Sequence, residues 1–195
     1  MIIWLNGAFG AGKTQTAYEL HRRIPNSFVF DPENAGYYIR DNIPIEVARS
    51  DFQEHSLWRT FNYEMLTYIT SKYEGTIIVP MTITNPEYWD EIVGQLRRDG
   101  LSLRHFTLTV TKDTLIRRLR SRFEGKGSWA AQQIDRCVRD LALEVFAEHV
   151  HTDHLTVPQT AEVIASLLHI ELQPDGRSRI RKAADRMITQ IKHIR

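Results

Sequence analysis

The amino-acid sequence predicts an α/β fold of three layers, in which about five parallel strands lie between two layers of helices. Two observations predict it. Short runs rich in apolar and β-branched residues recur along the chain, and segments with helical periodicity separate them. The runs are also continuous rather than alternating, as at Ile77–Val79, which is typical of strands buried on both faces of a parallel sheet.

The predicted strands are separated by segments long enough to hold helices. In order, they are Ile2–Asn6, Ser27–Asp31, Thr76–Ile83, Leu103–Val110 and Val150–Asp153. A helix over Gln15–Arg23 follows the first strand, because Ala17, Leu20 and Ile24 recur at the spacing of one helical face. After the fifth strand, Thr156 and Gln159 have the spacing of a capping box, which predicts another helix N-terminus.

Length and composition favour a single globular domain. The chain has 195 residues, and 42% of them are hydrophobic, which argues against wholesale disorder. A single cysteine, Cys137, excludes an intramolecular disulfide framework, and we expect it to lie in the core. Since Met1 is not followed by a signal-peptide pattern, we expect a cytoplasmic protein. No apolar run approaches the roughly 20 residues of a membrane-spanning helix.

The charge is distributed unevenly between the body of the chain and its end. Residues 176–195 carry seven Lys or Arg and one acid, whereas the rest carries 18 basic and 23 acidic residues. The segment Glu171–Arg179 is the one clear boundary, so we divide the chain into a domain over 1–175 and a C-terminal helix over 176–195. The apolar residues of that helix share an arc of roughly 140°. They are Ile180, Ala183, Ala184, Met187, Ile188, Ile191 and Ile194.

Two interpretations of this basic amphipathic helix remain open. An apolar face flanked by Lys and Arg suits the surface of an anionic membrane, where the basic residues are drawn to lipid headgroups. Alternatively, the same face packs on the protein's own sheet or on a second subunit, as in a homodimer.

A glycine-rich loop directly after the first strand carries the strongest functional signal. Its spacing matches the pattern G-x-x-x-x-G-K-[ST], and its strand–loop–helix context matches that motif too. In such loops the backbone amides and the helix N-terminus bind phosphate oxygens, the lysine reaches the β- and γ-phosphates, and the Ser or Thr hydroxyl ligates Mg²⁺. We therefore predict an ATP and Mg²⁺ site on Gly7, Ala8, Phe9, Gly10, Ala11, Gly12, Lys13 and Thr14.

Other residues favour a small-molecule kinase over a GTPase or a motor ATPase. The segment after the fourth strand lacks the Asn-Lys-x-Asp pattern that reads guanine, and the third strand does not end in Asp. The second strand does end in an acid, Asp31, at the sheet edge where ligands of parallel sheets bind. A carboxylate there can accept a substrate hydroxyl proton or help to hold Mg²⁺. Asp31 can also cap a helix that begins at Pro32.

Basic residues after the fourth strand predict a lid over the nucleotide. Arg118 and Arg122 are four residues apart and share a helix face, ahead of the flexible segment EGKG. Guanidinium groups there can stack on adenine and neutralise charge during phosphoryl transfer, so we assign both arginines a catalytic role beside Lys13. The alternative interpretation is a solvated basic face.

The substrate side is expected between the second and third strands, in the aromatic-rich segment Asp51–Tyr73. Its apolar stripe has near-helical spacing, which favours a packed core over a ligand cleft; it consists of Trp58, Phe61, Met65, Tyr68 and Ile69. If part of this segment instead lines a cleft for an apolar or heteroaromatic ligand, the candidate substrate residues are Gln53, Trp58, Arg59 and Asn62.

Several segments together resemble the bacterial tunicamycin-resistance protein family, a relative of chloramphenicol phosphotransferase and of small nucleoside and shikimate kinases. The resemblance covers nearly the whole chain, and SWAAQQIDRC is its most specific part. The other segments are IIWLNGAFGAGKTQTAYELHRR, VFDPENAG, IIVPMTI, HFTL and ADRMITQIKHIR.

This resemblance implies a nucleoside-kinase type of phosphate-loop fold that binds ATP and protects cells from tunicamycin, a uridine-containing lipidated antibiotic. It also implies peripheral membrane association through the C-terminal helix. Resistance would come from phosphorylating the drug or from binding it without chemistry. The resemblance places the ATP site on Gly7–Thr14, whereas Asp31 corresponds by position to the acid of the related kinases. No nucleic-acid partner is expected, and a nucleotide-controlled regulator of a protein partner is a third class.

Overall fold

A computed structural model of the chain describes residues 1–120 and 128–192. Five parallel strands form one sheet in the order β2-β3-β1-β4-β5, and helices flank it, which confirms the predicted α/β class. The strands are β1 (Ile2–Gly7), β2 (Ser27–Val29), β3 (Thr76–Pro80), β4 (Leu103–Thr109) and β5 (His149–His151).

Helices occupy every connection between the strands. In the first half of the chain they are α1 (Lys13–Arg23), α2 (Glu33–Asp41), α3 (Ser56–Lys72), α4 (Pro86–Trp89) and α5 (Gln95–Arg98), and a π-helical turn over Asp90–Gly94 joins the last two. In the second half they are α6 (Lys112–Arg120), α7 (Trp129–Gln132), α8 (Ile134–Asp140), α9 (Val157–Leu167) and α10 (Arg179–Lys192). The predicted capping box of Thr156 and Gln159 is present at the start of α9.

The core is built around the central strand β1, all six residues of which are buried. Each fully buried aliphatic side chain of β1, such as that of Ile3 or Leu5, contributes about 1.5–3 kcal/mol to folding. Trp4 packs edge-to-face on Trp89 with ring centroids 5.6 Å apart, and Trp89 also packs on Phe146. Cys137 is buried, as its amphipathic context predicted. The rigid β1 thereby fixes where the glycine-rich loop leaves the sheet.

The third strand ends earlier than the sequence predicted, at Pro80 instead of Ile83. Beyond Met81, bonds from the Asn6 side chain take the place of backbone bonds between β1 and β3. Asn6 donates from Nδ2 to the carbonyl of Ile83 at 2.9 Å, and its Oδ1 accepts from the amide of Ile83 at 3.0 Å. The same Oδ1 accepts from the amide of Gly7. Asn6 therefore fastens the segment after β3 to the first residue of the loop.

The predicted apolar stripe on α3 is wrong in part. Trp58 is fully buried, but Phe61 and Tyr68 are 45% and 63% exposed. The buried face instead carries Trp58, Arg59, Asn62 and Leu66. Two polar residues can face inward because each has a protein partner: Arg59 pairs with Glu91, and Asn62 donates to the carbonyl of Trp58.

The C-terminal segment docks on the body through polar contacts that converge on Arg177. Its guanidinium contacts Glu19 of α1 at 2.9 Å, Asp185 of α10 at 2.7 Å and Asp175 at 2.8 Å. Hydrogen bonds from Arg177 and Lys182 hold the pKa of Asp175 well below its usual range. Gln15 of α1 adds a bond to the carbonyl of Arg186. The chain from 175 onward is thus tied to α1 by charge pairing.

The apolar face of α10 points away from this contact. Ile180, Met187 and Ile188 are 83%, 65% and 51% exposed, whereas Thr189 on the body side is buried. Within the described part of α10 the apolar residues are therefore exposed and not packed on the protein's own sheet. Ile194 and the side chain of Ile191, which complete the predicted arc, lie outside the described part. No helix within the described ranges has the length and apolar character to cross a membrane.

Candidate active site

The glycine-rich loop, called the phosphate loop from here on (Gly7–Thr14), has a backbone that needs glycine, as its two ends show. Gly7 has φ +144°, and a Cβ there would lie 2.8 Å from the carbonyl oxygen of Leu108 on β4. Gly12 has φ +101°, in the left-handed region that favours glycine, and it precedes α1 directly. The loop can therefore turn tightly at its start and present the N-terminus of α1 at its end.

Lys13 and the helix N-terminus supply the positive end of this loop. The Lys13 side chain is buried, and its Nζ donates to the carbonyls of Gly7 and Ala8 at 2.9 and 3.1 Å. No side chain caps α1, so the first amides of the helix have no capping oxygen. A helix N-terminus with its amides directed outward binds phosphate oxygens, and the hydroxyl of Thr14 follows in the first turn. This arrangement fits a nucleoside triphosphate with Mg²⁺.

A main cavity of about 540 Å³ opens beside the phosphate loop. Its walls combine the loop with aromatic side chains from distant segments. Phe9 packs edge-to-face on Trp129, with centroids 5.1 Å apart, and Tyr37 of α2 packs on Phe52, with centroids 6.0 Å apart. Lys13 and Thr14 also line it, as does Thr189 of α10. This volume falls in the range of sites that take drug-sized ligands.

A second cavity of about 180 Å³ lies next to the main cavity and shares Phe9, Asp51 and Gln53 with it. The remaining walls are mostly polar and come from the 3₁₀ turn Phe52–Glu54, from the segment after β3, from the start of α4 and from α8. They are Glu54, Thr82, Thr84, Asn85, Tyr88 and Arg136.

Two carboxylates line the main cavity within residues 1–120 and 128–192, those of Glu33 and Asp51. Glu33 accepts from the hydroxyl of Tyr37 at 3.0 Å, and burial together with the Glu33 charge raises the pKa of Tyr37. Asp51 accepts from the amide of Gln53 at 3.0 Å and lies 3.9 Å from a guanidinium nitrogen of Arg136. Burial raises the pKa of Asp51, so its carboxylate is a better proton acceptor than an exposed one.

Comparisons with known proteins agree with this geometry. The sequence model of a family described as an AAA domain matches residues 2–149. The solved structure of the Deinococcus radiodurans tunicamycin resistance protein is 35% identical, covers 89% of this chain and 98% of its own, and superposes with a TM-score of 0.77.

The chain belongs to the tunicamycin-resistance protein family.

More distant structures share the fold of this family. A shikimate kinase from Bacteroides thetaiotaomicron is 19% identical and covers 87% of this chain and 99% of its own, with a TM-score of 0.59. A sugar kinase from Janibacter is 18% identical over 87% and 94% of the two chains, also with a TM-score of 0.59. No curated protein sequence matches the chain. The phosphate loop, together with the matched family, supports ATP binding by this tunicamycin-resistance family member.

Asp31 lies at the start of α2, where its Oδ1 accepts from the amide of Glu33 at 3.0 Å. The helix begins one residue later than the sequence suggested, with Pro32 and not Asp31 at its N-cap, and β2 ends at Val29 and not at Asp31. The bond to the Glu33 amide nevertheless orients the Asp31 carboxylate at this helix start. Asp31 is partly buried and is not among the residues that line either cavity, although Glu33, two residues later, lines the main one. Its role towards Mg²⁺ or a substrate hydroxyl stays a prediction.

Arg118 reaches the phosphate loop from α6. Its guanidinium donates to the carbonyl of Ala11 at 3.3 Å and to the carbonyl of Thr152, after β5, at 2.9 Å. Arg118 therefore joins the loop to the end of β5, on the nucleotide side of the site. Arg122 lies outside the described residues, so the paired arginine lid stays a prediction.

The four candidate substrate residues divide into one that lines the cavities and three that do not. Gln53 lines both cavities. Trp58 donates from Nε1 to the carbonyl of Pro32, and Arg59 donates to the carbonyl of Gln53 at 2.6 Å. Asn62 is bonded within α3. Trp58, Arg59 and Asn62 are buried behind the wall, and their side-chain nitrogens donate to other protein groups.

Sequence reasoning missed several residues of the site in this tunicamycin-resistance family member. Trp129 and Thr189 reach the main cavity from segments far along the chain. Both lie in segments that carry the family resemblance, but the spacing of residues there does not indicate a cavity wall. Asp51 carried one signal: it precedes Phe52 and Gln53 in the segment expected to hold the substrate. Asn6 carried another, since a polar residue at the end of a buried strand requires a partner.

Proposed function

We propose that this chain is an ATP-dependent phosphotransferase that moves the γ-phosphoryl group of ATP to a hydroxyl of tunicamycin or a related nucleoside compound. One observation carries the proposal: the phosphate loop and an aromatic wall line the same cavity of about 540 Å³. A nucleotide held at Lys13 and an apolar or heteroaromatic acceptor would therefore meet in one enclosure. The name of the Deinococcus relative supports tunicamycin as the acceptor.

In this proposal each residue of the loop has a separate task. The loop amides and Lys13 bind the β- and γ-phosphates, and the Thr14 hydroxyl holds Mg²⁺, with Asp31 as the acid that supports it or as a base. Mg²⁺, when bound, offsets the charge that builds up on the phosphate oxygens. Arg118 and Arg122, in the proposed lid, stabilise the same negative charge on the phosphate oxygens. The aromatic wall excludes water from the transferring group.

Binding of the drug without chemistry is the second candidate function. The observation that favours it is a missing acid. Motor ATPases have an Asp at the end of the third strand, whereas β3 of this chain is followed by Met81, Thr82 and Thr84. A site that lacks this Mg²⁺ ligand can hold ATP and the drug together without transferring the phosphoryl group.

Mass spectrometry of tunicamycin incubated with the protein and MgATP separates the two functions. A kinase adds one phosphoryl group to the drug, and the Lys13→Ala variant does not. A binding protein returns the drug unchanged and holds it stoichiometrically in the presence of ATP. ATP binding with no affinity for the drug would contradict both and would favour a nucleotide-controlled regulator.

We further propose that α10 holds this otherwise cytoplasmic protein on an anionic membrane surface. Polar contacts join α10 to the body, and its apolar residues Ile180, Met187 and Ile188 are exposed. Arg181 and Arg186 are exposed beside them. An apolar stripe with basic flanks suits burial at the headgroup boundary, and each basic residue near such a surface contributes about 1 kcal/mol. A lipidated drug would be met at that surface.

Replacing Met187 and Ile188 with Glu is expected to reduce binding to phosphatidylglycerol vesicles at least tenfold, because two apolar contacts are lost and two anions are added. Arg181→Gln should reduce it about fivefold. Tyr68→Glu, on the exposed face of α3, is the matched control and should change nothing. Vesicle sedimentation measures the effect, with phosphatidylcholine vesicles for comparison. Unchanged sedimentation of the double variant would contradict the proposal; a dimer that the double variant converts to a monomer would assign the face to a second subunit.

A further inference from the structure

The second cavity differs in chemistry from the main cavity. At about 180 Å³ it is smaller than the roughly 300–1,000 Å³ of sites that hold whole drug-sized ligands, so it suits a single ring. Its lining combines acceptors and donors: Asp51 and Glu54 accept, Arg136 donates, and the hydroxyl of Thr84 does both. Vicinal hydroxyl groups, each of which donates and accepts, match such a lining.

We propose that the second cavity binds a sugar ring of the acceptor and that Asp51 accepts the proton of the hydroxyl that is phosphorylated. This inference rests on the proposed phosphotransferase function and names the acceptor group. It gives the role of base to Asp51, so that Asp31 keeps only its proposed role towards Mg²⁺. The adjoining main cavity then holds the apolar part of the acceptor and the triphosphate end of ATP.

The position of Asp51 carries the assignment of the base. It lines both cavities, so a hydroxyl bonded to it lies at their junction, and Lys13 lines the main cavity on the loop side. The carboxylate is oriented by the amide of Gln53 at 3.0 Å. Among residues 1–120 and 128–192, its second oxygen has long contacts, at 3.5 Å to Gln53 Nε2 and 3.9 Å to Arg136. That oxygen has room for a shorter bond from a substrate hydroxyl.

Aromatic side chains complete the ring site. Phe9 belongs to both cavities, and it is held by Trp129 on the side of the main cavity. Tyr88 lines the second cavity while the guanidinium of Arg59 lies 4.2 Å from its ring centroid. Arg59 is itself fixed by Glu91 at 2.6 Å. Both rings are thus held before a ligand arrives, so little ordering is needed when a sugar binds between them.

The step balances within these groups. The acceptor oxygen forms a bond to the γ-phosphorus while its proton passes to the Asp51 carboxylate. The bond between the γ-phosphorus and the β,γ-bridging oxygen breaks, and the electron pair leaves with ADP. Asp51 then releases its proton to solvent. Because burial raises the pKa of Asp51, the rate is expected to fall as pH decreases through that pKa and the carboxylate becomes protonated.

Asp51→Asn tests the base without removing the local structure, since the Asn oxygen can still accept from the amide of Gln53. We expect kcat to fall at least about 100-fold, with ATP affinity within twofold of wild type and the low-pH decrease in rate abolished. Asp135→Asn, on an exposed acid paired with Lys112, is the matched control. Transfer at the full wild-type rate by Asp51→Asn, or an unchanged pH profile, would overturn the assignment.

Thr84→Val and Arg136→Gln test the sugar site by binding alone. With tunicamycin as the probe, we expect each to raise Kd about five- to tenfold and to leave ATP affinity unchanged. We also expect uridine to compete with tunicamycin less well in these variants than in wild type. Competition by uracil should be the same in all three proteins, since uracil lacks a sugar. If wild type binds tunicamycin but transfers nothing, the phosphotransferase function and the Asp51 step both fail, while weaker binding by these two variants still supports the sugar site. Unchanged binding by both variants would overturn it.

Discussion

Replacing Lys13 with alanine is expected to weaken MgATP binding by at least about 100-fold, or about 2.8 kcal/mol. The buried Nζ is the mobile charge of the phosphate loop, and charge-assisted bonds to phosphate are among the strongest that a protein makes. The loop amides remain in the variant, but they carry only partial charge. Titration with a fluorescent ATP analogue measures the effect.

The control for this variant is Lys112→Ala, which removes an exposed lysine paired with Asp135 and should leave ATP binding unchanged. Thr14→Ala should retain weak binding that no longer responds to Mg²⁺, since the hydroxyl is the ligand that the loop offers to the metal. ATP affinity that is unchanged in Lys13→Ala would exclude the phosphate loop as the nucleotide site.

Replacing Arg177 with alanine is expected to lower the free energy of unfolding by about 2–4 kcal/mol. The guanidinium contacts three carboxylates, and one of them, Glu19, is 3% exposed. Loss of Arg177 leaves that buried charge with Arg22 as its remaining ion-pair partner among the described residues. Removing one partner of a buried pair is costly because the other charge stays desolvated. Urea denaturation of the full-length protein measures the change.

Two variants make this result specific. Arg139→Ala removes an exposed arginine that pairs with Asp140 and should change the free energy of unfolding by less than about 0.5 kcal/mol. Glu19→Gln combined with Arg177→Ala should cost less than the sum of the two single changes, because the uncompensated buried charge is then absent. Additive losses would show that Arg177 does not stabilise the fold through its pair with Glu19.

The sheet and the phosphate loop were predictable because their signals are local. Continuous apolar runs specify buried strands wherever they pair, and the loop motif contains its own glycines, lysine and threonine. Strand ends were less predictable: β3 stops at Pro80 because the Asn6 side chain, more than 70 residues earlier, takes over its hydrogen bonds. A long-range side-chain contact of this kind leaves no periodic trace near the strand end.

The cavity walls were predictable only in part for the same reason. Gln53 lines both cavities as expected, but Arg59 and Asn62 face the interior, where Glu91 and the carbonyl of Trp58 bind them. Helical spacing predicts which residues share a face, and it does not predict whether that face meets ligand, core or solvent. Phe61 and Tyr68 show the same limit: their spacing predicted a buried stripe, but both lie at the surface.

The position of Thr189 has a consequence for how the two ends of the chain communicate. The helix that turns its apolar side outward also forms part of the cavity wall, and Gln15, next to Thr14, is bonded to the backbone of Arg186. Anything that binds the outer side of α10 and shifts the helix therefore changes the volume offered to the ligand. Thermodynamic linkage makes this reciprocal: a ligand that binds more tightly to one placement of α10 alters the affinity of the outer side by the same factor.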